Sequence, residues 1–187
     1  LLFDKTILRE KGPYAKGNPP MRSRENVDAL WEYVFDGTID TLGSDHGPYA
    51  DEEKVKHGNF FKEYSGFGGY DAMLAGMLTE GVHKRGLPLE RLAALTSGNP
   101  ARVMGLAPRK GSLLPGTDAD IAVVDLDAEW VFDGTKSLSK TKSSHNIYHG
   151  SHLKGKVEQT WVRGELIYDH GTIKAARGYG RFVAKQK

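Results

Sequence analysis

The stretch GTIDTLGSDHGPY at residues 37–49 decides how the chain is read. Gly37 stops a helix, a short apolar run follows, and that run delivers Asp45 and His46 into a turn rich in glycine and proline. A carboxylate at the C-terminal tip of a strand is where α/β barrels carry their chemistry. The residues upstream keep the same rhythm. Ser23 sits at the N-cap position of a helix whose Val27, Leu30, Trp31, Val34 and Phe35 recur at helical spacing and form one buried stripe. Helix then strand across so short a link is the alternation of a parallel sheet or barrel. On this reading residues 38–43 are a strand, and residues 1–3 are the tail of an earlier one.

Downstream, residues 47–69 are punctuated by Gly47, Pro48, Gly58, Gly66, Gly68 and Gly69. A loop of that length in a compact domain is functional or disordered. Residues 70–84 read as a helix with Met73, Leu74, Met77 and Leu78 on its apolar stripe. A second helix starts with Pro88 in its first turn and carries Leu89, Leu92, Ala93 and Leu95, and Asn99-Pro100 opens a third that ends near Gly105. Past Pro108 the texture becomes β-rich. Residues 121–126 (IAVVDL) form a strand, residues 128–132 read as another, and residues 157–162 and 165–168 form a hairpin around Arg163-Gly164. A boundary falls near residues 105–112, which gives one segment at 1–108 and a second at 109–187. Residues 136–152 are a polar connection.

Composition excludes several classes. The 187 residues carry 26 basic and 24 acidic side chains, and a net charge of +2 offers no electrostatic footprint for nucleic acid. No cysteine is present, so a disulfide framework and a thiolate metal site are both excluded. That absence suits a reducing cytoplasm, where the chain is placed. No apolar run reaches the ~20 residues that cross a bilayer, so no membrane partner is expected.

Two readings of Asp45 stay open on spacing alone. It can cap the next helix, or it can ligate a metal and act as a general base, since a carboxylate beside a divalent cation stays ionised at neutral pH. Asn18-Pro19-Pro20 reads as a rigid turn, with Arg22 on the surface. The run Ser65-Gly66-Phe67-Gly68-Gly69 can present its backbone to a ligand, because glycine lets the main chain come close. It does not read as a phosphate loop, because no strand leads into it and no Lys-Ser/Thr follows. His83 reads as a solvated helix position beside Lys84 and Arg85. His145, His149 and His152 fall in an irregular polar stretch with no acidic neighbour in sequence, which argues against zinc there. In the segment from Arg109 to Asp125, Pro115-Gly116 makes a turn, and Asp118 and Asp120 tie the loop that precedes the strand.

Taken in order, NPPMR, GTIDTLGSDHGPY, SGFGG, SGNPARVMGL and RKGSLLPGTDADIAVVDLD resemble the amidohydrolase superfamily, and within it the cyclic-amide branch of dihydroorotases, allantoinases and hydantoinases. These motifs run from about Gly12 to Tyr168. The resemblance implies the C-terminal part of a (β/α)₈ barrel followed by part of a small β-sandwich domain. It implies hydrolysis of a ring-amide C–N bond with one or two divalent metals, commonly zinc. Asp45 matches the acid after the last barrel strand, which binds metal and shuttles a proton to the leaving nitrogen. Asn18, Ser65 and Gly66 match positions that hold the substrate ring. Tyr49 stands where dihydroorotases carry a second histidine, which leans the substrate toward a hydantoin, allantoin or dihydropyrimidine.

The family's His-x-His, carbamylated lysine and two further histidines are not found in these residues, and a whole barrel needs ~250. The expectation is therefore a C-terminal portion that neither holds a dinuclear centre nor turns over substrate alone, from a protein that forms a homo-oligomer. The rival readings are a non-catalytic hydantoinase-like structural or oligomerisation module and a stand-alone small binding domain.

Overall fold

The computed structural model describes residues 1–185, so the last two residues of the segment assigned to 109–187 lie outside the described residues. Helix α1 (Ile7–Lys11) leads through a short turn to α2 (Arg24–Asp36). Ser23 takes the N-cap position, but its hydroxyl bonds Asn26 Oδ1 and no backbone amide (3.2 Å). Gly37 ends the helix at φ 95°, a left-handed stop that a residue with a Cβ adopts only at a cost. Of the apolar stripe, Val27, Trp31 and Val34 are buried, while Leu30 and Phe35 stay partly exposed.

The strand expected at residues 38–43 is not formed, nor is one at residues 1–3. A ladder needs a neighbouring strand, and this backbone bonds helices instead. Ile39 N donates to Tyr33 O (3.0 Å), Leu42 N to Leu95 O (2.9 Å), and Arg91 reaches Ile39 O with Nη2 (2.6 Å). Asn99 Nδ2 holds Asp40 O at 2.7 Å. The segment is extended, and side chains of the later helices clamp it.

After a short helix α3 (Asp51–Lys54), α4 (Tyr70–Met77) runs on into a wider π-type stretch, Leu78–His83, so the expected helix over residues 70–84 is present with a change of pitch. Helices α5 (Leu89–Ala93) and α6 (Asn99–Val103) are joined by another such stretch at Ala94–Gly98. Their apolar faces meet α2 in one core of Val27, Trp31, Val34, Met77, Leu78, Leu87, Leu92 and Leu95.

The second half is a four-stranded antiparallel sheet in the order β1-β2-β3-β4, made of Ile121–Val131, His152–Val162, Glu165–Asp169 and Thr172–Ile173. The two strands expected at residues 121–132 are a single strand with a register shift between Asp125 and Glu129. The Asp125 carboxylate accepts the amides of Asp127 (2.9 Å) and Ala128 (3.1 Å), which bends the strand without breaking it. The Arg163-Gly164 hairpin is as expected, with both residues at positive φ (53° and 78°), the twist that suits a two-residue turn. Asp118 and Asp120 do tie the preceding loop. Asp118 pairs with Arg109 (2.9 Å) and Lys110 (2.8 Å), Asp120 pairs with Lys110, and Asp120 Oδ1 accepts the Arg163 amide (2.9 Å).

Sheet and helices meet at Gly155 on β2. A Cβ there would stand 2.8 Å from Leu78 Cδ1 and 2.9 Å from Leu78 Cβ, at a φ of +93°. Beside it the Thr79 hydroxyl accepts the Lys154 amide (2.9 Å) and donates to Ala75 O (2.7 Å). Gly155→Ala is expected to destabilise the fold by about 2 kcal/mol or more, from overpacking and backbone strain together. A thermal melt checks this, and a midpoint within 1 °C of wild type contradicts it.

Candidate active site

Asp45 stands exposed on the turn that ends residues 38–43, at a φ of 44°. That left-handed backbone costs a non-glycine residue about 1–2 kcal/mol. Asp45 does not cap α3, which starts six positions later with Ala50 at its N-cap. Among the described residues no side-chain hydrogen bond or ion pair engages its carboxylate. The neighbouring ring of His46 accepts the amide of Gly69 on Nδ1 (3.1 Å), which leaves its proton on Nε2, and it packs edge-on against Tyr70 (4.4 Å between centroids). His46 is thus a clasp between the Asp45 turn and the glycine-rich run, a role that sequence reasoning had not assigned.

The four candidate residues come from three distant stretches and line one cavity of about 470 Å³: Asn18, Asp45, Ser65 and Gly66. Asn18 Nδ2 donates to Ser65 Oγ at 3.1 Å. Gly66 adopts φ +130°, and a Cβ there would sit 2.7 Å from Gly47 O, so only glycine fits against the Asp45 turn. Gly47 N in turn donates to Phe67 O (3.2 Å). The apolar part of the lining includes Phe67, Met73, Ile147 and the Tyr148 ring. Ile147 and Tyr148 come from the polar connection of the β-rich half. Burial, with the Asp71 charge adding to it, pushes the Tyr148 phenol up to about 12, so it stays neutral.

Two lysines hold the run around Ser65 from outside the cavity. Lys16 Nζ donates to the carbonyls of Phe60 (2.9 Å), Phe61 (3.0 Å) and Glu63 (2.6 Å). Lys54, 3% exposed, donates to Lys16 O (3.2 Å), Tyr64 O (2.9 Å) and Gly66 O (2.6 Å). Burial, and then the Lys16 charge, pulls the Lys54 ammonium down to about 8, against a smaller upward pull from Glu63. Glu63 itself is buried, which raises its pKa, but the amides of His57 (2.9 Å) and Asn59 (3.2 Å) and the His57 ring hold the carboxyl below its usual range. Tyr49 stacks on Tyr64 (4.9 Å, 7° between planes) and is not among the residues lining the cavity.

Two of the three histidines of the polar connection, His145 and His149, do have acidic partners, which sequence distance hid. His145 Nδ1 lies 2.9 Å from Asp51 Oδ2 and stacks on Tyr14, while His149 lies 3.6 Å from Asp133. Ser143 and Asn146 complete the attachment, to Asp51 and to Gly68 O respectively. A divalent ion in a protein cage needs about three or more protein donors. Among the described residues no group of three such side chains converges, so Asp45 offers one donor and these residues do not make a metal site by themselves. Nor is any helix among them long and apolar enough to cross a membrane.

The sequence pattern of the Amidohydrolase family matches residues 10–167. An L-hydantoinase of Paenarthrobacter aurescens is 39% identical over 176 residues, which is 94% of this chain and 38% of that protein. An allantoinase of Solibacter usitatus is 38% identical over 95% of this chain and 38% of its own length. The solved L-hydantoinase (dihydropyrimidinase) from Arthrobacter aurescens superposes with a TM-score of 0.93 and 36% identity, over 98% of this chain and 40% of that one. The chain thus spans about two fifths of the length of the relatives it matches.

Lys54 makes stability depend on pH with a defined sign. The folded form releases the Lys54 proton near 8 and the unfolded chain only near the ordinary 10.5, so between these values the unfolded state binds more protons. The contribution of this residue therefore rises with pH across that window. Melting midpoints at pH 7.5 and 9.5, taken as wild type minus Lys54→Met so that other groups cancel, are expected to shift in favour of wild type at the higher pH. A flat or falling difference contradicts the assignment.

Proposed function

The chain belongs to the amidohydrolase family, and on that premise we propose that it forms part of an enzyme that hydrolyses the C–N bond of a cyclic amide. Residues 1–108 are assigned to the closing part of a (β/α)₈ barrel and residues 109–187 to a β-sandwich domain. The observation that supports this reading is the convergence of Asn18, Asp45, Ser65 and Gly66 on one cavity, with Asp45 unpaired among the described residues and the others tied to one another.

Hydrolysis adds water across the ring amide: a C–O bond forms, the C–N bond breaks, and one proton must travel from water to the leaving nitrogen. An exposed carboxylate, free of competing partners, suits that transfer as base and then as acid. Asp45 takes the proton from the attacking water and returns it to the ring nitrogen. The Ser65–Gly66 backbone and the Asn18 side chain hold the ring, and the apolar wall at Phe67 and Met73 keeps bulk water off the amide. A divalent ion, when bound, would polarise the attacked carbonyl, with Asp45 as its one donor from these residues.

The relatives named L-hydantoinase and allantoinase support a hydantoin-like or allantoin-like ring for this site. Tyr49 carries no weight in that choice, because its ring packs on Tyr64 away from the cavity.

In a preparation that turns over hydantoin, allantoin or dihydrouracil, Asp45→Asn is expected to lower kcat by about 10³-fold, because the proton shuttle is lost while the shape remains. Asn18→Ala is expected to raise KM with a smaller effect on kcat. Full turnover in Asp45→Asn would remove this carboxylate from the reaction.

A further inference from the structure

Lys54 is a buried cation whose partners are main-chain carbonyls. A buried ammonium is costly unless its donors are matched, and here three N–H groups meet three carbonyls, those of Lys16, Tyr64 and Gly66. Where those carbonyls come from is what gives the contact meaning. Tyr64 and Gly66 flank Ser65. Lys16 stands two positions before Asn18, and its carbonyl also accepts the Gly66 amide (2.9 Å). Lys54 itself ends α3, the helix that leaves the Asp45 turn. A single ammonium thus joins the three stretches that supply Asn18, Asp45 and Ser65, from the side away from the cavity.

The rest of the geometry leaves the run around Ser65 dependent on this point. Its glycines offer no side chains to pack, so hydrogen bonds to the main chain hold them, while Phe67 packs against the cluster that includes Ile147 and Ser65 Oγ accepts from Asn18 Nδ2. Those bonds are Gly66 N to Lys16 O, Gly47 N to Phe67 O and Gly69 N to His46, with Asn146 touching Gly68 O at 3.4 Å. The face of the Tyr49 ring, stacked on Tyr64, lies under the ammonium at 5.9 Å and keeps water from it.

We propose that Lys54 is a positioning residue: its ammonium fixes the main chain on both sides of Ser65 to the Asn18 stretch and to the helix after Asp45, and so sets where the ring-holding groups stand relative to that carboxylate. Its consequence for turnover rests on the ring-amide reading of the cavity. Its structural content does not.

Residue-resolved amide exchange on the 187-residue chain tests it. Lys54→Met keeps an unbranched, flexible side chain one atom shorter and removes every donor. The amides of Gly47, Gly66 and Gly69 are expected to exchange at least tenfold faster, relative to the helix amides of Val27 and Leu92, which bond Ser23 O and Pro88 O. The His46 Nδ1 resonance is expected to move with them as its bond to Gly69 lengthens. Acceleration of all five amides together, or of none of the three glycines, overturns the proposal.

If Lys54→Met does not fold, Lys54→Gln, a shorter uncharged arm with two donors, is read the same way. Selective loosening of at least threefold supports the proposal, and its absence overturns it. Turnover separates the two ideas. Where the wild type hydrolyses a cyclic amide, Lys54→Met is expected to raise KM at least fivefold and to lower kcat by less. KM and kcat both within twofold of wild type overturn the positioning role. Inactivity of the 187 residues alone is expected; an intact enzyme containing this chain that hydrolyses no cyclic amide overturns the functional reading instead, and the glycine amides still decide the role of Lys54.

Discussion

The contact on which the rest depends is the approach of strand β2 to the helix that begins at Tyr70. Residue 155 has no side chain, so Leu78 lies where a Cβ would otherwise be, and the Thr79 hydroxyl reaches the Lys154 amide. Side chains could not mediate so short a distance. Fixing it fixes the sheet relative to the helices, and with the sheet goes the polar connection that hangs from it. Ile147 and Tyr148 then reach the cavity wall from the far half of the chain, braced by Phe3 edge-on at 5.1 Å and by Phe132 at 6.2 Å.

A second theme is that the site is organised by main chain more than by side chains. Gly66 and Gly47 pack backbone on backbone, the His46 ring bonds an amide, and two lysines spend their donors on carbonyls. An arrangement of this kind leaves Asp45 uncommitted. Its carboxylate stands at a strained backbone angle with no side-chain partner among the described residues, while the charges around it are satisfied elsewhere. Strain of that sort persists only where the surroundings hold it, and the clasp at His46 together with the tie from Gly47 to Phe67 does so here.

Local patterns carried much of this fold into the sequence. The stripe from Val27 to Val34 fixed α2, glycine marked its end, and the Arg163-Gly164 pair announced the hairpin. The failures share one cause, which is distance along the chain. Residues 38–43 have the composition of a strand, but a strand is a relation between two segments, and the partners they find are helix side chains. Asp125 looked like any strand residue, and its two amide bonds merged what read as separate strands. Asp51 and His145 stand ninety-four positions apart and meet at 2.9 Å, which no spacing rule reaches. For the site, ordered motifs brought Asn18, Asp45, Ser65 and Gly66 into one reading, and the cavity places them together. The supporting roles of His46 and Lys54 depend on backbone atoms, and those leave no trace in residue type.

The attachment of residues 143–148 has a bearing on how such a protein can change. Ser143 and His145 bond Asp51 on α3, Asn146 touches Gly68 O of the glycine-rich run, and the next two residues line the cavity. The wall of the pocket is therefore co-owned by segments from either side of residues 105–112. Exchange of either half between relatives would part Asp51 from His145 and leave a borrowed loop against a foreign surface. Drift in pocket shape along such a lineage has to proceed by paired substitutions across that seam, and a chimera cut there inherits a mismatch at the place where a ligand would sit.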